Sequence, residues 1–373
     1  MMFRYIRKNI FQQAWEKIID FDWFFFSLIS ILICLGLLTI HTVDTSTGNY
    51  LLKHFVRISI SLTLFLIVAF INIKFWYRYA YIFYIGIVGL LIYVDLFGLS
   101  ALGAKRWINF YFFNIQPSEL MKVGVILALA RYYQYIKLEE IDDFSKLIIP
   151  VFIIFIPFFL VVSQPDLGTG IFILIVCLGM LWLAGLSLKI FISSFFSLLI
   201  LTPFSIALLK PYQKERILTF LNPENDPLGS GYHIIQSKIA IGSGGFFGKG
   251  FKQGTQSNLE FLPEKHTDFI FTVFSEQFGF FGSVLLILLF FAIILKILNI
   301  SLKSQNNFSR LVCFGVGFNI FIYLAVNLGM VTGLLPVVGV PLPIISYGGT
   351  AMLSTMFSLG LVMSAKIHKD HNF

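Results

Sequence analysis

Apolar residues come in long unbroken runs, and polar residues collect between them. Runs near the length of about 20 residues that a helix needs to cross a bilayer fall at 22–42, 54–73, 75–97, 117–136, 147–163, 168–187, 189–209, 268–298, 309–332 and 347–366. The pattern predicts ten transmembrane helices, with tight turns joining 54–73 to 75–97 and 168–187 to 189–209. One stretch breaks the rhythm. Residues 210–267 form a long polar loop between the seventh and eighth helices. Before the first run, Phe3–Asp20 is amphipathic and basic and lacks the short apolar core of a cleavable signal peptide, so it is expected to lie on the membrane surface. No sequence repeat and no low-complexity linker divides the chain. Residues 1–373 are therefore read as one all-α integral membrane domain.

Composition agrees with the runs. Hydrophobic residues make up 57% of the chain and charged residues 12%, with a mean hydropathy of +0.86, where a soluble domain carries about 25% charged residues. The net charge of +8 would suit nucleic acid, but the charges flank the apolar runs, which is a membrane-topology pattern. Fifteen of the 27 Lys and Arg fall on one side when the N-terminus is placed in the cytoplasm, among them Arg4, Arg7, Lys17, Arg131, Lys303 and Lys366. Both termini, with segment 1–20, are thus expected inside and the 210–267 loop outside. Cys34, Cys177 and Cys313 lie far apart in apolar runs, which excludes a disulfide framework and a zinc site as working readings.

Ionisable residues in or beside spans are costly in lipid and are functional candidates by default. Here they are Arg57, Asp95, Glu119, Lys122, Asp166, Asp268 and Glu276. Glu119 and Lys122 are three apart and share one helix face, so they read either as a self-neutralising clasp or as the lining of a polar cavity open to the outside. Asp166 reads as turn chemistry, Asp95 as interfacial, Arg57 as snorkelling to the interface, and Glu276 as one half of a structural ion pair. The glycine run in the long loop is no phosphate loop: Ser243 stands where the first glycine belongs, and Gly250 follows Lys249 where Ser or Thr is required. Turns with amphipathic surface helices, such as Ile234–Ile241, fit better. Lys214, Arg216, Lys238, Lys249 and Lys252 suit contact with an anionic head group. The segment FLPEKHTDFIF (261–271) gathers Glu264, Lys265, His266 and Asp268 at the mouth of the eighth helix. Thr267 suits an N-cap there, with Asp268 in the first turn. A partly desolvated carboxylate among cations suits proton abstraction from a hydroxyl. From residue chemistry alone this is an outward-facing polar site.

The motifs together resemble the SEDS family of cell-wall polymerases. The likeness is carried by AKRWI (104–108), QPSELMK (116–122), SQPDLGTG (163–170), NPENDPLGSGYHIIQSKIAIGSGGFFGKGF (222–251), FLPEKHTDFIF and NLGMVTGLLPVVGVPLPIISYGGT (327–350). They stand in family order, and their form is closer to the elongation branch than to the division branch. The resemblance implies a peptidoglycan glycosyltransferase that polymerises lipid II on the outer face of the bacterial cytoplasmic membrane. It maps the essential catalytic Asp onto Asp268 and the cavity pair onto Glu119 and Lys122. Lys105, Arg106, Arg216, Glu264, Lys265 and His266 complete the candidate substrate cavity. Implied partners are a class B penicillin-binding protein and other elongation-complex membrane proteins.

The chemistry is consistent with that reading. An α-linked donor and a β-1,4 product require inversion, hence one base and no covalent nucleophile. Lys122, Lys265 or Arg216 can neutralise the leaving pyrophosphate; no metal site or cofactor is required by the sequence, and a divalent cation is optional. Three readings stay open beside the elongation polymerase: a division polymerase of the same family, a lipid II flippase, and a non-catalytic scaffold. A flippase would need ionisable groups through the full membrane depth, and the inner half has almost none.

Overall fold

The computed structural model describes residues 10–44, 49–101, 104–110, 113–193, 230–258 and 264–369, with isolated positions between 196 and 222. Helix α1 (Ile10–Ile19) precedes α2 (Trp23–Val43), α3 (Tyr50–Phe70) and α4 (Ile73–Phe97). A small antiparallel sheet follows: β1 (Leu99–Ala101), β2 (Ala104–Phe110) and β3 (Phe113–Ile115). Then come α5 (Pro117–Tyr132), α6 (Phe144–Ser163), α7 (Leu167–Ala184), α8 (Ser230–Ser243), α9 (Ile270–Lys303), α10 (Asn307–Val331) and α11 (Gly349–Ile367).

Nine of the ten expected runs are these helices. Among the described residues, eight helices are long and apolar enough to cross a membrane. The seventh run, 189–209, is helical over 188–193 and lies outside the described residues from 197 onward. The ninth matched helix, α5, has only 16 residues, about 24 Å, less than a hydrocarbon core of about 30 Å. It can be short because protein surrounds it: residues from Pro117 to Ala130 are buried almost without exception, against α4, α6, α7, α10 and α11.

Two features depart from the hydropathy reading. The sheet modifies the all-α expectation: β1 pairs with β2 through Leu99↔Trp107 and β2 with β3 through Ile108↔Ile115. Its strands are too short to register as apolar runs. The second is a break in α9 at Gly279 (φ 66°, ψ −165°). The glycine run of the long loop repairs it. Lys249 N–H and Gly250 N–H donate to the carbonyls of Glu276 (3.0 Å) and Gln277 (3.1 Å), while Phe280 and Phe281 N–H donate to Gly245 (2.9 Å) and Phe246 (3.0 Å). Freed backbone groups at such a break must find partners within the protein. The fit demands glycine: a Cβ on Gly248 would stand 2.0 Å from the Gln277 oxygen, and one on Gly279 would stand 2.2 Å from the Gly248 nitrogen.

Candidate active site

The HTD segment is not the start of a helix. Helix α9 begins at Ile270, its N-cap is Phe269, and no side chain caps it. The expected Thr267 cap is thus overturned. Thr267 instead donates its hydroxyl to Glu264 Oε2 at 2.8 Å, closing a turn in which Thr267 and Phe269 N–H donate to the Glu264 carbonyl. Thr267 is drawn back to Glu264 because the turn curls before the helix starts.

Three successive carbonyls of this turn are then held from elsewhere in the chain. Tyr347 N–H donates to His266 O (2.8 Å), Ser346 Oγ to Thr267 O (2.7 Å), and Asn327 Nδ2 to Asp268 O (2.9 Å). Asn327 also donates to Val340 O (2.7 Å), and Leu342 N–H donates to Ser346 Oγ (2.8 Å). The Pro-rich segment after α10 is therefore the cradle of the turn. The Asp268 carboxylate lies over Gly339 (φ +77°), where a Cβ would approach Oδ2 to 3.2 Å.

Aromatic rings flank His266. Its ring centroid is 4.8 Å from Tyr50 and 5.7 Å from Tyr347. Burial pushes its pKa below the ordinary imidazole value, with Glu264 opposing and Lys265 reinforcing the shift. Arg57, half-buried near the start of α3, stacks on Tyr347, its guanidinium carbon 4.0 Å from the ring centroid, because that ring offers a cation-π surface.

Glu119 and Lys122 are brought together as expected, at 2.7 Å. A third residue joins them: the Tyr323 hydroxyl donates to Glu119 Oε2 and accepts from Lys122 Nζ. The rings of Phe172 and Tyr323 flank the ammonium at 4.5 and 4.3 Å. Glu119 is 6% and Lys122 3% exposed, so the triad is closed. Tyr323 and Asn327 lie four residues apart on one face of α10, so a single helix turn joins the triad to the anchor of Asp268.

The remaining candidates divide clearly. Asp166 caps α7, accepting from Thr169 N–H (3.3 Å), and it accepts from Gln116 Nε2 (3.2 Å). Arg106 clamps the turn before α7, donating to the Pro165 and Gln164 carbonyls and lying 3.8 Å from Asp166. Lys105 on β2 and Glu264 are exposed, and Lys265 is half-buried beside the turn. Arg216 lies outside the described residues. Glu276 is the expected ion-pair member, bound to Lys249 at 2.9 Å. That lysine therefore serves the loop packing and not a head group.

Sequence reasoning missed Tyr323, Asn327, Ser346 and Tyr347. Their signal in the sequence is uncharged: a Tyr and an Asn one turn apart in an otherwise apolar span.

The family model of FtsW, RodA and SpoVE, described as "Cell cycle protein", matches residues 18–371. The chain belongs to the FtsW/RodA/SpoVE family. The SEDS resemblance read from the motifs is thereby borne out. Family relatives include the "Peptidoglycan glycosyltransferase MrdB" of Escherichia coli (strain K12), 41% identical over 321 residues and 84% of each chain. The protein of the same name from Helicobacter pylori (strain ATCC 700392 / 26695) is 37% identical over 91% of this chain and 90% of its own. A solved chain from work titled "Structural coordination of polymerization and crosslinking by a peptidoglycan synthase complex" superposes with a TM-score of 0.82 at 29% identity, covering 94% of this chain and 99% of its own. The rod shape determining protein RodA of Thermus thermophilus, at 24% identity and a TM-score of 0.72 over 94% of this chain and 98% of its own, shares the fold.

Proposed function

We propose that this chain polymerises lipid II into β-1,4 glycan strands, with Asp268 as the general base. It is a peptidoglycan glycosyltransferase of the elongation type, a reading supported by 41% identity to the "Peptidoglycan glycosyltransferase MrdB" of Escherichia coli, against 34% to the "Probable peptidoglycan glycosyltransferase FtsW" of Coxiella burnetii.

The observation that carries the base assignment is the triple carbonyl anchor of residues 266–268. A base must sit within hydrogen-bond reach of the proton it takes, and a turn pinned at three successive carbonyls gives the Asp268 carboxylate a fixed origin. The acceptor 4-hydroxyl gives its proton to Asp268 while its oxygen attacks the anomeric carbon of the donor. The C–O bond to pyrophosphate breaks with inversion, and Lys265 beside the turn, with Arg216 of the long loop, neutralises the departing charge. A divalent cation carried with the pyrophosphate is compatible with this scheme and is not required by it. Lys122 is tied into its buried triad with Glu119 and Tyr323, so its role is to brace α5 against α10, the helix that carries Asn327.

The Lys and Arg bias supports placing both termini in the cytoplasm and the site on the outer face of the bacterial cytoplasmic membrane. A class B penicillin-binding protein is the proposed partner, because the chain is similar to one solved within a peptidoglycan synthase complex.

Polymerisation of lipid II by purified Asp268→Asn and His266→Gln proteins tests the assignment. The Asn variant should insert, bind lipid II and make no polymer, a loss of about 10²–10⁴-fold, while His266→Gln keeps most activity. An active Asp268→Asn protein beside an inactive His266→Gln protein would reverse the roles.

A further inference from the structure

Helix α3 carries Tyr50, His54 and Arg57 at positions i, i+4 and i+7, which places them on one face of the helix. That face meets Tyr347, the residue whose N–H holds the His266 carbonyl at 2.8 Å. Around the Tyr347 ring stand Tyr50 at 5.4 Å, His266 at 5.7 Å and His54 at 5.9 Å, centroid to centroid. The Arg57 guanidinium covers the ring at 4.0 Å. Tyr347 is thus gripped by three side chains of one helix while its backbone holds the turn of Asp268.

The helix behind this grip is fixed at both ends. At its start, the Asp44 carboxylate accepts from the N–H of Tyr50 (3.0 Å) and Leu51 (3.3 Å). Towards its end α3 lies tight on α11. A Cβ on Gly360 would stand 2.9 Å from the Phe65 carbonyl oxygen, and Ser364 Oγ donates to Ile71 O at 2.6 Å. Arg57 is about 10 Å along α3 from Tyr50, inside a span where a charge is costly. Lys122 and Lys296 meet that cost with carboxylates, Glu119 at 2.7 Å and Asp22 at 2.8 Å. Among the described residues no carboxylate pairs with Arg57. Its cation rests on the Tyr347 face, beside Gly349 at the start of α11, where a Cβ would stand 3.6 Å from Nε.

We propose that Arg57 is a positioning residue for the reaction: it clamps the Tyr347 ring, and through the Tyr347 N–H it fixes the turn that carries Asp268. A cation held on an aromatic face resists the ring's rotation away from it, and the ring cannot move without shifting the donor to His266 O. This clamp comes from α3, whereas Asn327 holds the Asp268 carbonyl from α10. It matters to the chemistry because the turn carries the proposed base, and it depends on that assignment.

The test is a double-mutant cycle on the full-length protein, with kcat and KM for lipid II polymerisation measured on folded, inserted material. Arg57→Met should lower kcat by about twofold to thirtyfold, the range of a cation-π contact expressed as a rate, with KM nearly unchanged. Arg57→Lys keeps a cation over the ring and should retain most of the parental kcat. On a Tyr347→Leu background, Arg57→Met should cost nothing further, because its route to the turn is already gone. If Tyr347→Leu fails to insert, the comparison of Arg57→Met with Arg57→Lys carries the test. A raised KM at unchanged kcat would mean that Arg57 meets the substrate itself and would overturn the clamp. Additive losses in the double variant, equal losses in Arg57→Met and Arg57→Lys, or a lowered unfolding temperature at parental kcat would overturn it as well. Asp268→Asn is assayed alongside: an active protein would overturn the base and the clamp together, whereas the other contrary results would overturn the clamp alone.

Discussion

Asn327 holds Asp268 by its backbone: one side-chain amide donates to the Asp268 carbonyl at 2.9 Å and to the Val340 carbonyl at 2.7 Å. A fully buried residue of α10 thus ties the proposed base to the segment that lies beneath its carboxylate. Through these two hydrogen bonds Asn327 acts as a positioning residue. Asn327→Ala is expected to cut polymer yield by up to about 10²-fold, since a displacement of about 1 Å can cost that much, with a stability loss of about 1–3 kcal/mol. Polymerisation and thermal unfolding of one preparation separate the two effects. Full activity with an unchanged unfolding temperature would remove Asn327 from the site.

His266 gives a pH signature. Its folded pKa lies below the ordinary value of about 6.5 because the ring is partly buried. The unfolded chain therefore binds the proton more readily. The contribution of His266 to stability is complete above about pH 6.5 and is lost as the pH falls through the depressed folded pKa. Unfolding temperatures of parent and His266→Gln proteins should diverge in pH dependence below about 6.5, with the parent falling more steeply. Parallel curves would show that the ring titrates as in water.

The closed triad makes a stability prediction. Glu119→Gln strands a buried Lys122, and breaking one side of such a pair costs about 3–5 kcal/mol. The single variant should be depleted from the membrane, and Glu119→Gln with Lys122→Met should recover much of the loss. If Glu119→Gln inserts normally but fails to polymerise, the pair lines the substrate path instead.

Gly248 and Gly242 form a matched comparison. A Cβ on Gly248 meets the Gln277 oxygen at 2.0 Å and the residue holds φ +83°, whereas a Cβ on Gly242 meets nothing within 4 Å. Gly248→Ala should lower the yield of active protein several-fold, and Gly242→Ala should leave it unchanged. Equal yields would mean that the loop does not need its close approach to the broken helix.

Orientation is open to chemical labelling. Cysteines placed at Ser230 and Lys303, in a background lacking the native cysteines, should respond oppositely to an impermeant thiol reagent. The first should label in intact cells and the second should be protected; labelling at 303 would invert the topology.

Much of this protein was determined by the sequence alone. Apolar runs long enough to span a bilayer must become helices, because lipid offers no partner to an open backbone, and this placed α2 through α7 and α9 through α11. Motif order then identified the family and brought Asp268, Glu119 and Lys122 into view. Short-range spacing was enough to pair Glu119 with Lys122, since i, i+3 neighbours share a helix face whatever surrounds them.

The tertiary structure decided what those residues touch. Nothing local links Asp268 to Asn327, Ser346 and Tyr347, which lie 59 and more positions away. Nor does any local signal place Tyr323 against a pair on α5 or Arg57 against Tyr347. The helix expected to begin at Thr267 begins later because long-range hydrogen bonds to three carbonyls hold the preceding turn out of helical form. Hydropathy reports how much of a segment leaves water, but not which neighbour it meets. Those partners are set only when the helices pack.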